Sequence, residues 1–130
     1  MKDKRFEDIT FKEEIGLEHP FRRTQVLVRS EIVAIGKKIN LNKKAPYITS
    51  EELKEMYDKK EDFVVLDARN YYEFNVGRFE NAIHLNIKTF REFPEAVEKI
   101  SDLKDKKIIT YCTGGIRCEK SKRCLKSSGI

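Results

Sequence analysis

The chain has 130 residues, 38% of them charged and 39% hydrophobic, with a net charge of +5. This length suits one ordinary domain plus an additional segment, and the apolar content exceeds that of disordered chains. No apolar run approaches a membrane span, and residues 1–10 lack the hydrophobic core of a secretory signal. The basic excess permits a nucleic-acid partner without indicating one. The three cysteines, all within residues 112–130, argue against a disulfide framework, so we expect a cytoplasmic protein.

The first third of the chain differs in pattern from the rest. The segment from Thr24 to Ile35 is β-branched and apolar, which predicts a strand or a strand pair. The polar stretch from Lys37 to Pro46 follows Gly36 and reads as a linker.

From Tyr47 onward, helix and strand signals alternate. The expected elements are a helix opened by a capping box at Thr49 to Glu52, a buried strand at Phe63 to Leu66, a helix from Asn70 to Val76, a strand at Ala82 to Leu85, a helix through Phe90 to Ile100, a strand at Lys107 to Tyr111, and a helix from about Ile116 to Ser127. Gly77 and Gly129 would end the second and last helices. This order predicts an α/β fold with a mainly parallel sheet.

Cys112 stands where the last predicted strand meets the last helix, in the loop Cys112-Thr113-Gly114-Gly115-Ile116-Arg117. Glycines allow the backbone to curl closely around a ligand, and the free N–H groups at a helix start attract an anion. Arg117 adds a permanent positive charge at the rim. These features favour a thiolate, which would attack a sulfur donor and carry the terminal sulfur as a persulfide. The alternative interpretation is a buried, inert cysteine beside an ordinary turn.

The motif resembles that of the rhodanese-like family. Leu66-Asp67-Ala68-Arg69, with Glu73 and Gly77 after it, is similar to the first signature of that family, and the six-residue loop from Cys112 to Arg117 is similar to its active loop. Cysteine phosphatases use a longer loop. The segment from Tyr111 to Lys120 more closely resembles the bacterial rhodanese-domain proteins that hydroxylate uridine 34 of tRNA, as do Thr89 to Phe93 and the strand Val26 to Val33.

The resemblance implies a domain layout and an activity. Residues 1–36 would be the C-terminal end of a preceding α/β domain, residues 37–46 a linker, and residues 47–130 a rhodanese-like domain that stops before its last strand and helix. The implied reaction is oxygen-dependent 5-hydroxylation of uridine 34, with tRNA as partner, Cys112 as the essential nucleophile, and Thr113, Gly114, Gly115, Ile116 and Arg117 as an anion cradle. The alternatives are a sulfurtransferase that uses a small sulfur donor and a thiol acceptor, and a non-catalytic binding module.

Other candidate residues have structural interpretations beside functional ones. Cys118 is a candidate resolving thiol for Cys112 or a small packed helix residue, and Cys124 is expected to be structural. We expect Asp67 to cap a turn, Arg69 to pair with Glu73 at i,i+4, and His84 to be a hydrogen-bonded buried histidine. His19 is assigned to a turn, and no cysteine or histidine spacing suits a metal, so no metal or cofactor is expected.

The last predicted helix is basic. Its basic residues are Arg117, Lys120, Lys122, Arg123 and Lys126. They form either a binding surface for a phosphate backbone, which Arg22 and Arg23 would extend, or a solvent-exposed face with no partner. The sequence leaves the oligomeric state open.

Overall fold

The computed structural model describes residues 4–8, 15–18, 22–23, 26–36 and 46–130. The chain divides into two compact units, Met1–Ser30 and Glu31–Ile130. Among the described residues of the first unit there is a 3-10 turn at Lys4–Phe6. His19 and all but Pro46 of the predicted linker lie outside the described residues.

The second unit alternates helices and strands in the predicted order. Its elements are α1 (Ser50–Asp58), β1 (Val64–Asp67), α2 (Tyr71–Val76), β2 (Ile83–His84), a 3-10 turn (Phe90–Glu92), α3 (Phe93–Val97), a 3-10 segment (Glu98–Leu103), β3 (Ile108–Tyr111) and α4 (Ile116–Ser127). Within the described ranges, no helix is long and apolar enough to cross a bilayer.

Local signals set the ends of the first and last helices. The Thr49 side chain accepts the backbone N–H of Glu52, whose carboxylate accepts the Thr49 N–H at 2.6 Å, so the predicted capping box forms. At the end of α4, the N–H of Gly129 donates to Lys126 and that of Ile130 donates to Leu125. Gly129 has a positive φ of 76°, which completes a Schellman motif and confirms its predicted role.

One predicted helix differs in the structure. The single helix expected through Phe90 to Ile100 is divided into two 3-10 segments flanking α3, and Ile100 lies outside the helical region. Pro94 has no N–H to bond back into the turn before it, which separates that turn from α3. α2 ends at Val76 with Gly77 as its C-cap, which confirms the predicted end of this helix. The Gly77 backbone is extended, and its carbonyl accepts the Arg69 side chain at 2.5 Å.

The three strands form a parallel sheet in the order β2-β1-β3. Asp67, the last residue of β1, is in register with both His84 and Tyr111. The carboxyl ends of all three strands therefore meet at one edge, where reactive loops of parallel sheets are found. Cys112 directly follows Tyr111 at this edge.

A buried carboxylate joins β1 to β3 at that edge. The Asp67 side chain is fully buried and accepts hydrogen bonds from the Arg69 backbone and guanidinium at 2.7–3.0 Å and from the Tyr111 hydroxyl. Burial by itself would raise the pKa of Asp67, but these donors outweigh burial and lower it. The ion stays charged in the core because its oxygens are paired.

The main hydrophobic core lies between the sheet and the helices. Its buried members are Ile35, Leu66, Ala68, Ile87, Phe90, Phe93, Ala96, Val97, Cys124 and Leu125. Cys124 is 4% exposed within it, which confirms its structural assignment.

The strand predicted over Thr24 to Ile35 is not formed in its described part, residues 26–35; Thr24 and Gln25 lie outside the described residues. Two backbone groups of this segment are hydrogen bonded to side chains. Glu31 accepts the N–H of Ile35 at 2.7 Å, and Lys120 donates to the carbonyl of Val33 at 2.5 Å. Ile35 enters the core with 1% of its surface exposed.

We predict that Tyr111→Phe lowers the free energy of unfolding by about 1–2 kcal/mol, because it removes a donor from a buried carboxylate. Tyr72→Phe is the matched control, since that residue is 65% exposed. Denaturant unfolding of the two variants measures the difference, and equal stabilities would contradict the assigned role of Tyr111.

Candidate active site

Cys112 lies in the tight turn between β3 and α4. Gly115, with a φ of 83°, occupies the left-handed region that glycine adopts without strain, and α4 begins directly after it. This conformation turns the Gly115 N–H onto the Cys112 sulfur, at a donor–acceptor distance of 3.1 Å. The predicted strand, loop and helix are therefore all present around Cys112.

The surroundings of Cys112 stabilise its thiolate. A hydrogen bond from the Cys118 side chain, followed by the backbone N–H groups of Cys118, Gly115 and Gly114, lowers the pKa of Cys112 to about 5 against the opposing effect of burial. These donors come from the turn and the first residues of a helix, whose N–H groups have no partners within the helix. At neutral pH Cys112 is a half-buried thiolate.

The side chains of the predicted cradle bond to each other and to α2. Arg117 makes a bidentate pair with Glu73 at 2.6 and 2.7 Å and donates to the Thr113 hydroxyl at 3.2 Å. The Thr113 hydroxyl in turn donates to Glu73 at 2.8 Å. Thr113, Arg117 and Glu73 thus form a brace that ties the loop to α2. Hydrogen bonds from Arg117 are the main reason that the pKa of Glu73 falls to about 2.

The other cradle residues differ in placement. Gly114 and Gly115 supply backbone N–H groups to the sulfur, and only Gly115 of the two takes a positive φ. The Ile116 side chain is 47% exposed at the start of α4.

Cys118 lies on the first turn of α4, six residues after Cys112. Its interaction with the Cys112 side chain, followed by burial, raises the pKa of Cys118. It also borders a groove of about 280 Å³ between β3, α4 and residues 46–48. None of the three cysteines of the chain forms a disulfide.

The predicted pairing of Arg69 with Glu73 is wrong. Arg69 bonds Asp67 at 2.7 Å, whereas Glu73 bonds Arg117. The i,i+4 rule requires both residues to lie in one helix, but α2 begins only at Tyr71. The Asp67 side chain accepts the Arg69 N–H, as expected of a residue that caps a turn.

His84 has a partner at each ring nitrogen. Its Nε2 lies 2.8 Å from the Arg69 carbonyl oxygen, and its Nδ1 accepts the Asn86 N–H at 2.9 Å. It is half-buried and stacks on Phe74 with ring centroids 4.9 Å apart. The hydrogen bonds predicted for His84 are therefore confirmed, although the side chain is half-buried and not fully buried as expected.

The basic residues of α4 do not form one uniform face. Arg117 is paired with Glu73, and Lys120 is held by the Val33 carbonyl and by Glu31 at 3.5 Å. Lys122 is half-buried, which lowers its pKa, and Lys126 is exposed. At least two of the five basic residues therefore stabilise the domain itself.

Sequence reasoning missed the brace partner of Arg117 and the hydroxyl contact of Thr113. Glu73 comes from α2, 44 residues before Arg117, and no local spacing links the two. The one available signal was the parallel topology, which brings the loops after β1 and β3 to the same edge.

The fold and the site together define a class of protein. It is an α/β domain with a parallel sheet, in which a cysteine directly after a strand is held as a thiolate by the N–H groups of a loop and a helix start. The family model of the rhodanese-like domain matches residues 49–130. The chain belongs to the rhodanese-like domain family.

Curated relatives align with nearly the whole chain. A tRNA uridine(34) hydroxylase of Cytophaga hutchinsonii is 43% identical over 130 residues, which cover 98% of this chain and 41% of the relative. The proteins of the same name from Legionella pneumophila strain Corby and Listeria welshimeri are 42% and 44% identical, with 51% and 41% of their lengths covered. The chain spans about half or less of the length of these relatives.

We predict that alkylation of Cys112 by iodoacetamide has its midpoint near pH 5, the pKa of this thiol. Because only the thiolate reacts, the rate should be near its maximum at neutral pH. Peptide mass spectrometry distinguishes Cys112 from the buried Cys124, which serves as the internal control. A midpoint above about pH 8, typical of an unperturbed thiol, would contradict the hydrogen bonds assigned to the sulfur.

We predict that Glu73→Gln lowers the free energy of unfolding at neutral pH by about 2 kcal/mol, less than the roughly 3–5 kcal/mol of a fully buried pair. The pKa of Glu73 falls from 4.5 to about 2 on folding, so its contribution is complete above pH 4.5 and is lost as the pH falls towards 2. The stabilities of the native and variant chains should therefore converge in acid. Glu95→Gln, at an exposed position on α3, is the matched control for the loss of a surface carboxylate.

Proposed function

We propose that this chain carries the cysteine site of a tRNA uridine-34 hydroxylase. Cys112 is its thiolate nucleophile and forms a persulfide, and the loop Thr113, Gly114, Gly115, Ile116 and Arg117 is the anion cradle around it. The observation that carries this proposal is the set of donors on the Cys112 sulfur, together with 98% coverage of the chain by relatives of that name.

The loop suits a persulfide better than a neutral thiol. Backbone N–H groups directed at the sulfur stabilise negative charge on Cys–S⁻ and equally on Cys–S–S⁻. Their positions are fixed before reaction by the brace of Glu73, Thr113 and Arg117, so little reorganisation is needed when the charge moves. Loading from thiosulfate would break its S–S bond, leave sulfite, and place the terminal sulfur on Cys112.

The surface next to the loop suits a nucleobase. Tyr71 and Tyr72 on α2 are 49% and 65% exposed, and Tyr72 lies close enough to Arg117 to affect its pKa. Unstacked bases in RNA loops are held by aromatic side chains, and uridine 34 is a single-stranded anticodon base. The exposed rings support tRNA as the partner beside Cys112.

A second candidate function is sulfur transfer to a small thiol. The observation that favours it is the groove of about 280 Å³ bordered by Cys118, six residues after Cys112, which has room for a small molecule. A sulfurtransferase would need the same thiolate loop and no RNA surface.

We expect the chain to restore 5-hydroxyuridine derivatives in tRNA when it is expressed in a bacterium that lacks its own uridine-34 hydroxylases. Cys112→Ser should abolish these nucleosides because it removes the thiolate, whereas Cys124→Ala should retain them. Nucleoside analysis of purified tRNA by liquid chromatography and mass spectrometry measures the products.

Equal nucleoside levels with the native chain and Cys112→Ser would overturn the role of Cys112. Thiocyanate formation from thiosulfate and cyanide, in the absence of any restored nucleoside, would assign the chain to sulfur transfer instead.

A further inference from the structure

Arg78 lies at the carboxyl edge of the sheet, between two residues that are fixed to that edge. Before it, the Gly77 carbonyl accepts the Arg69 guanidinium at 2.5 Å. After it, Phe79 packs edge-on against Tyr111, with ring centroids 4.8 Å apart. Tyr111 directly precedes the reactive cysteine, so the backbone of Arg78 is held on the same edge of the sheet as the thiolate.

A column of stacked rings supports the Arg78 guanidinium. Its central carbon lies 4.5 Å from the centroid of the Phe74 ring. Phe74 in turn stacks on His84, with centroids 4.9 Å apart and an angle of 26° between the ring planes. Both ring nitrogens of His84 have hydrogen-bond partners, so the base of the column is fixed. Because a cation is attracted to an aromatic face, the column holds the guanidinium in place before any ligand binds.

The charge of Arg78 is not neutralised within the part of the chain that the structure describes. Its guanidinium contacts Phe74, and it forms no ion pair with a described carboxylate. Glu73 is the one acidic residue of α2, and its carboxylate is bonded to Arg117 and Thr113. The Arg78 side chain is exposed, so its N–H donors are accessible to a ligand in solution.

We propose that Arg78 binds a backbone phosphate of the RNA strand whose uridine is presented to Cys112. A guanidinium that is stacked by its face presents N–H groups along its edge, and this arrangement binds two phosphate oxygens at once. The inference rests on the proposed function, because it requires RNA as the partner. It deepens that function by assigning the residue that holds the RNA backbone.

The column and the reactive loop are close enough for one RNA strand to reach both. His84 ends β2 and Tyr111 ends β3, and both are in register with Asp67 on β1 between them. Two strand spacings amount to about 10 Å. The exposed rings of Tyr71 and Tyr72, which suit a nucleobase, lie on α2, the helix that also supplies the stacking ring. A phosphate contact beside them would fix the position of the strand, since phosphate contacts orient a nucleic acid and base contacts read it.

The experiment measures the affinity of the 130-residue chain for a fluorescent anticodon stem–loop RNA with uridine at position 34, over a series of salt concentrations. Arg78→Ala should weaken binding about fivefold at roughly 0.1 M salt, and it should reduce the slope of log affinity against log salt by about 0.7, the value for one phosphate contact of a single strand. Arg78→Lys keeps the charge and should therefore retain the native slope.

Lys106→Ala is the matched control for the loss of one positive charge. Lys106 pairs with Asp62 at 2.6 Å and precedes the amino end of β3, at the opposite edge of the sheet from the reactive loop. This variant should keep the native slope.

A stem–loop with cytidine in place of uridine 34 gives a second readout. Because a phosphate contact carries no sequence information, Arg78→Ala should weaken the binding of both RNAs by the same factor. A loss confined to the uridine RNA would assign Arg78 to the base and overturn its role at the phosphate.

The outcomes separate the two proposals. Native affinity and slope in Arg78→Ala would overturn the role of Arg78 and leave RNA as the partner. A native chain that does not bind the RNA would overturn the tRNA partner of the proposed function, and the role of Arg78 with it. An equal loss of affinity in Arg78→Ala and Arg78→Lys, with the native slope in both, would show that Arg78 acts on the fold and not on a phosphate.

Discussion

The site depends first on the buried carboxylate of Asp67. This side chain ends the central strand, accepts donors from Arg69 and Tyr111, and so fixes the end of β3 one residue before Cys112. A buried carboxylate is tolerated only when its oxygens are paired, so its position is determined by several partners at once. Cys112 therefore follows directly from an edge of the sheet that several hydrogen bonds fix.

The second constraint is the set of hydrogen bonds that Arg117 makes. Its guanidinium is bonded to Glu73 and Thr113, so it orders the loop, while the Gly115 N–H donates directly to the Cys112 sulfur. Arg117 acts on the sulfur through its charge, because its own pKa is raised in part by Cys112. Such a site can hold a thiolate or a persulfide with the same set of hydrogen bonds.

Features set by nearby residues were predictable, and features set by distant contacts were not. The capping box at Thr49, the span of α4 and the Gly129 motif depend on neighbours within a few residues, and each formed as expected. The partner of Glu73 depends on two loops meeting across a parallel sheet, so helical spacing gave the wrong answer. The expected strand did not form over the described residues 26–35, because an apolar pattern does not supply the neighbouring strand that it needs.

Cys118 shows how one placement joins local and distant constraints. Its position on the first turn of α4 follows from the length of the loop. Its pKa, however, depends on Cys112, six residues earlier, and on Thr110 in β3. The parallel edge fixed by Asp67 determines where the loop begins, and the N–H group of Gly115 at the start of α4 then determines which of the two cysteines holds the negative charge.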